Sequence, residues 1–145
     1  MHQIDIQYAV AKKFPSTILL KRWAKAVLEK KYQRPTELTI RIVSKNEMAK
    51  LNYTYRQKEG PTNVLSFPLE KPLLGDIIIC ASVVKREAKE QHKSPKAHFA
   101  HMVVHGVLHL LGYDHIQDKE AKAMEKLEIH LLRSLGFSNP YKGYS

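Results

Sequence analysis

Apolar and polar positions run along the chain with two periods, and each change of period marks an element. Near the start, IDIQYAV is β-branched and aromatic and predicts a strand. Residues 16–31 place Ile18, Leu19, Trp23, Ala26 and Val27 at helical spacing between lysines and Arg22, and Pro35 ends that unit. ELTIRIV, 37–43, returns to strict alternation and predicts a second strand. Ser44-Lys45-Asn46-Glu47 has the form of a capping box, so a helix should begin there and turn Met48, Leu51 and Tyr55 inward. RQKEGPT then reads as a loop. NVLSFP, 63–68, and LLGDIIIC, 73–80, read as strands, the latter with an apolar run that implies burial on both faces. Residues 82–91 look helical. Ser94 and Pro95 supply the cap and first turn of another helix, which should run through Leu111 and stop at Gly112. Asp118 opens a last helix to about 135, closed by Gly136. SNPYKGYS, 138–145, has no core pattern and is expected to be a mobile tail.

Interleaved helices and strands, with one strand pair adjacent in sequence, predict an α+β fold with a mixed, roughly four-stranded sheet packed with helices. At 145 residues the chain suits one core, so residues 1–137 are read as a single domain and 138–145 as its tail. No apolar run is long enough to span a bilayer. MHQIDIQYAV lacks the features of a secretory signal. The single cysteine, Cys80, cannot make an internal disulfide. These features predict a cytoplasmic protein with no membrane and no disulfide partner. Lys and Arg number 24 against 14 Asp and Glu, a formal charge of +10. That excess favours a polyanionic partner, of which nucleic acid is the commonest in a cytoplasm. The plainer alternative is lysine used for solubility.

The candidate chemistry lies in HGVLHLLGYDH, 105–115. Residues four apart lie on one helical face, so the imidazoles of His105 and His109 can share an ion. Gly112 permits the helix to break, and His115 can return from the turn to the same ion. Three neutral imidazoles with an open fourth position describe a catalytic zinc site, although other divalent ions can occupy such a set. Cys80 lies in another element and is not expected to complete the shell. Against this stands the plain reading of paired helical histidines as partly buried core or a solvated face. His101, one turn earlier, reads as structural or as a support to a ligand. His92, His98 and His130 read as surface or packing residues.

The spacing H-x-x-x-H-x-x-G-x-x-H resembles that of the metzincin proteases, whose motif is H-E-x-x-H-x-x-G-x-x-H. That likeness implies a zincin-like metal-site helix. The glutamate that serves those enzymes as general base is replaced here by Gly106, which has no proton acceptor. A wider likeness covers most of the chain from Asn46 to the last helix. LNYTYR, PTNVLSFP, LGDIII and H-G-x-L-H-L-x-G-Y-D-H resemble, in that order, the YbeY family of single-strand-specific endoribonucleases of ribosomal RNA maturation. The resemblance implies that His105, His109 and His115 are zinc ligands and that Arg56 is the family's required arginine, with Arg56 and His115 carrying catalysis. It implies partners in single-stranded ribosomal RNA, the small ribosomal subunit and its assembly factors, with action at the 3′ end of small-subunit RNA and in ribosome quality control. A guanidinium suits the role, since it grips phosphate by two parallel hydrogen bonds and offsets charge building on phosphorus. The family often has Asp where Asn63 stands, which removes a charge near the cleft.

Thr62 and Ser66 could donate hydrogen bonds to the substrate backbone. Asp114 either orients an imidazole or only shapes the turn. Met124 is read as core, with Leu127 and Leu131, and Asp76 as a turn residue or structural acceptor. The rival functions are a non-catalytic, zinc-containing ribosome assembly factor and, from spacing alone, a metallopeptidase.

Overall fold

The computed structural model describes residues 2–70, 73–113 and 117–142. In chain order they form β1 (His2–Tyr8), α1 (Thr17–Lys31), β2 (Thr36–Val43), α2 (Lys45–Arg56), β3 (Val64–Pro68), β4 (Leu73–Cys80), α3 (Ala81–Glu90), α4 (Pro95–Leu110) and α5 (Asp118–Ser134). The four strands make one mixed sheet in the order β1-β2-β4-β3. β1, β2 and β4 are parallel, and β3 runs antiparallel along β4, with Ser66 opposite Ile77. The architecture is the α+β fold expected from the pattern.

The apolar run of β4 is buried on both faces. Ile77 and Ile79 join the larger core with Ile40 and Ile42 of β2 and the inward faces of α1, α4 and α5. Ile78 and Cys80 face a smaller cluster built with Val43, Leu65, Met48 of α2 and Val83 of α3. Cys80 is therefore a buried, free thiol packed in that cluster.

Two inward faces differ from the pattern. α1 buries Leu20, Trp23, Ala24, Val27 and Leu28, and leaves Ile18 exposed at its first turn. Tyr55 is 61% exposed instead of turning inward. α2 rests on the small cluster through Met48 and Leu51, and one turn later the Tyr55 ring meets Phe67 edge-on, 5.1 Å between centroids. Among the described residues, no helix is long and apolar enough to cross a membrane.

Candidate metal centre and cleft

α4 carries the histidines, and its sequence fixes both of its ends. Ser94 accepts a hydrogen bond from the Ala97 amide at 3.1 Å, and Pro95 occupies the first turn, where no amide is needed. At the other end the Gly112 amide donates to His109 O, and Gly112 adopts φ +100°, a left-handed conformation that glycine accepts at no cost. Between these ends His101, His105 and His109 recur at four-residue spacing. Ring centroids of His101 and His105 are 6.2 Å apart, and those of His105 and His109 are 4.6 Å apart.

His105 and His109 line a cleft of about 570 Å³ whose opposite wall is the edge strand β3 and the loop before it. Arg56, Thr62, Asn63 and Ser66 line the same cleft. Arg56 is the exposed last residue of α2, so residues some fifty positions apart in sequence come to one opening. Ser66 Oγ donates to Gly106 O at 3.4 Å, a bond that ties β3 to α4 across the cleft. His115 and Asp114 lie outside the described residues.

Behind the histidines stands a residue that the motif does not contain. Glu128 of α5 is 1% exposed, and its Oε2 lies 2.6 Å from His105 Nδ1. Its Oε1 lies 3.5 Å from His101 Nε2 and accepts a hydrogen bond from the Tyr141 hydroxyl. Burial alone would push the Glu128 carboxyl up, but hydrogen bonds from His101 and His105 outweigh it and hold the group well below the usual carboxylate range. Burial holds His101 below the ordinary imidazole value, against the opposing pull of Glu128, so it stays neutral. Burial and then the Glu128 carboxylate push the Tyr141 phenol up, which keeps it a donor.

The donor atoms of His101, His105 and Glu128 all lie within 4.8 Å of one another, a His/His/Glu set chemically suited to a divalent cation. One spacing inside the set is shorter than two ligands of one ion would keep. Two ligands of a tetrahedral zinc with bonds of about 2.0–2.1 Å stand about 3.3 Å apart, whereas His105 Nδ1 and Glu128 Oε2 are 2.6 Å apart, a hydrogen-bond distance. Glu128 engages His105 through Nδ1, so Nε2 is the ring nitrogen on the far side of that bond.

A second polar network flanks the cleft. Buried His98 bonds Glu87 through Nε2 at 2.9 Å, and Glu87 accepts from Asn63 Nδ2 at 3.0 Å. Asn63 Oδ1 in turn accepts from the Val64 amide at 2.7 Å. Asn63 therefore holds the start of β3 in place, with its amide group directed at a carboxylate. Of the remaining residues singled out, Met124 is core, His92 and His130 are exposed, and Asp76 lies within β4 opposite Phe67.

Glu128 had one legible signal: it falls on the apolar face of α5 with Met124, Leu131 and Leu132, where a carboxylate must have partners. Tyr141 had none, because a docked tail residue has no periodicity.

Comparison with known proteins identifies the family. Residues 5–136 match the family model described as "Endoribonuclease YbeY". Proteins called "Endoribonuclease YbeY" from Methylococcus capsulatus and Nitrosococcus oceani are each 53% identical. The match covers 98% of this chain and 97% of the Methylococcus protein, and 96% of both for the Nitrosococcus protein. The solution structure of TM1509 from Thermotoga maritima superposes with a TM-score of 0.66 at 28% identity, covering 97% of this chain and 99% of that one. An edge strand and an arginine facing paired helical histidines, together with a match across nearly the whole chain, place this protein in the YbeY endoribonuclease family.

Proposed function

We propose that the chain is a single-strand-specific, metal-dependent endoribonuclease of the cytoplasm that matures the 3′ end of small-subunit ribosomal RNA and takes part in ribosome quality control. Its partners would be that RNA, the small subunit and its assembly factors. The observation that carries the reading is the shared cleft: Arg56 from α2 and His105 and His109 from α4 line one opening beside β3.

The ion, in this reading zinc, would be held by His105, His109 and His115. The donor chemistry fits, since neutral imidazoles are good zinc ligands and Glu128 meets His105 at Nδ1. When bound there, the ion supplies Lewis-acid activation at the scissile phosphodiester. Arg56 binds the phosphate and offsets the charge that builds on its oxygens. Thr62 positions the RNA backbone from the opposite wall. Ser66 would join it only by giving up its bond to Gly106 O, so its first contribution is to hold that wall to α4. Asp114 would orient an imidazole from the turn. The chain's charge of +10 draws single-stranded RNA to the cleft.

The assembly-factor reading keeps the ion and the RNA but not the cut. Incubating a labelled single-stranded RNA with the wild type and with folded His115→Ala separates the two. The nuclease reading expects cleavage by the wild type alone and RNA binding by both. Binding without cleavage by the wild type would favour the assembly factor.

A further inference from the structure

We propose that Glu128 and Tyr141 are positioning residues for the metal ligand His105, which makes the segment after α5 part of the metal centre. The inference rests on the reading of His105 and His109 as ligands, and extends it to residues outside the histidine motif.

Glu128 lies on a different helix from the histidines and is fully enclosed. One carboxylate oxygen meets a nitrogen at 2.6 Å, a hydrogen-bond distance, inside this enclosed site. That nitrogen is His105 Nδ1. A proton in that bond belongs to the Nδ1–H tautomer, the form in which Nε2 can ligate a metal. A carboxylate held at one oxygen can still rotate. Here the second oxygen is held as well, by the Tyr141 hydroxyl and, at 3.5 Å, by His101 Nε2. The Tyr141 oxygen lies 3.3 Å from the same His101 nitrogen, so a protonated Nε2 serves both acceptors. His101, Tyr141 and Glu128 thus form a closed triangle whose free corner aims at His105. Tyr141 arrives from beyond α5, where buried Pro140 anchors the chain beside it.

A purely structural role would tie α4 to α5 and leave metal affinity unchanged. Chelator competition with zinc, at a temperature where circular dichroism shows each protein folded, separates the roles. The proteins compared are the wild type, His109→Ala, Glu128→Gln and Tyr141→Phe. Positioning predicts zinc affinity about 10-fold to 100-fold weaker in Glu128→Gln, as when the hydrogen-bond partner of a metal-bound histidine is removed. Tyr141→Phe should weaken it by a smaller factor in the same direction. Imidazole ¹⁵N shifts should show the Nδ1–H tautomer of His105 lost or mixed in Glu128→Gln.

If both variants bind zinc within twofold of the wild type while His109→Ala loses it, the positioning role is wrong and the ligand assignment stands. If His109→Ala binds normally while Glu128→Gln abolishes binding, Glu128 is itself a ligand and the proposal fails. If the wild type binds no divalent ion, the proposal and the function it rests on fall together. Should Glu128→Gln fail to fold, Tyr141→Phe decides alone, with unchanged affinity counting against the proposal.

Discussion

A Cβ built on Gly106 would stand 2.9 Å from Ile77 Cγ2. α4 thus lies against β4 with no room for a side chain at the position after His105. The direction in which a side chain would leave Gly106 is toward the sheet core. This explains the departure from the protease motif: a glutamate here would enter the buried packing of Ile77 instead of the cleft. Alanine regains about 1 kcal/mol of helix propensity over glycine, while overpacking costs about 1–3 kcal/mol. Gly106→Ala should therefore fold with a modest net loss, read from urea midpoints. Gly106→Glu should be severely destabilised. A stable Gly106→Glu protein that cleaves peptides would contradict this geometry and revive the peptidase reading.

Acid should destabilise the metal-free chain in two stages, because the two groups of the buried network held low, His101 and Glu128, act in the same direction. His101 has a folded pKa below its ordinary 6.5, so the unfolded chain takes up that proton first as pH falls. Stability is then lost as pH drops below 6.5 toward the folded value. Glu128 has a folded pKa below its ordinary 4.5, so its contribution is full above 4.5 and is lost as pH falls further. Glu87, also held low because bonds from His98 and Asn63 outweigh its burial, adds to the lower stage. Melting temperatures between pH 4 and 8 should rise with pH, and His101→Gln should flatten the upper part. A wild-type profile with no slope between 4.5 and 6.5 would show that His101 is not held neutral by the fold.

The Asn63 amide donates to Glu87 at 3.0 Å. Replacing Asn63 with Asp puts two carboxylates at that distance and removes the donor. Like charges so close raise the pKa of one partner, so the penalty is largest at high pH and fades on acidification. The difference between variant and wild type should be about 1 kcal/mol or more at pH 7, by analogy with losing a hydrogen bond to a charged group. It should shrink by pH 4.5, as denaturant titration at the two pH values would show. A variant equal to the wild type at pH 7 would mean that Glu87 has moved or been neutralised.

Arg56 is exposed, so removing it should leave stability within about 0.5 kcal/mol of wild type. In the proposed function its effect belongs to the reaction. Arg56→Ala should slow single-turnover cleavage about 100-fold to 1,000-fold, as for a lost donor to developing charge. Arg56→Lys should rescue only part, because a point charge cannot reproduce the planar fork. Full activity in Arg56→Ala would remove the arginine from the mechanism.

The elements were legible wherever burial imposed a period. β2 and β4 showed it through alternation and the apolar run, and α4 through its Ser-Pro start and glycine stop. The inward faces of α1 and α2 were harder to read. An apolar residue at a helix end, such as Ile18 or Tyr55, fits the period without reaching the core. His105 and His109 were legible because two histidines four apart are a local pattern. The network behind His105 was not, because the contact of His105 with Glu128 and the bond from Tyr141 to Glu128 join positions 23 apart and 13 apart and obey no period. Asn63 was read as a missing charge, whereas its amide bridges the strand β3 to Glu87, a relation that only the folded chain displays.

The most direct test of the account is single-turnover cleavage of a labelled single-stranded RNA by the chain after complete chelation and after return of one equivalent of zinc, with His109→Ala alongside. Metal dependence predicts no cleavage by the stripped protein, recovery on zinc in the wild type, and none in the variant. Equal cleavage by stripped protein, restored protein and variant would contradict it.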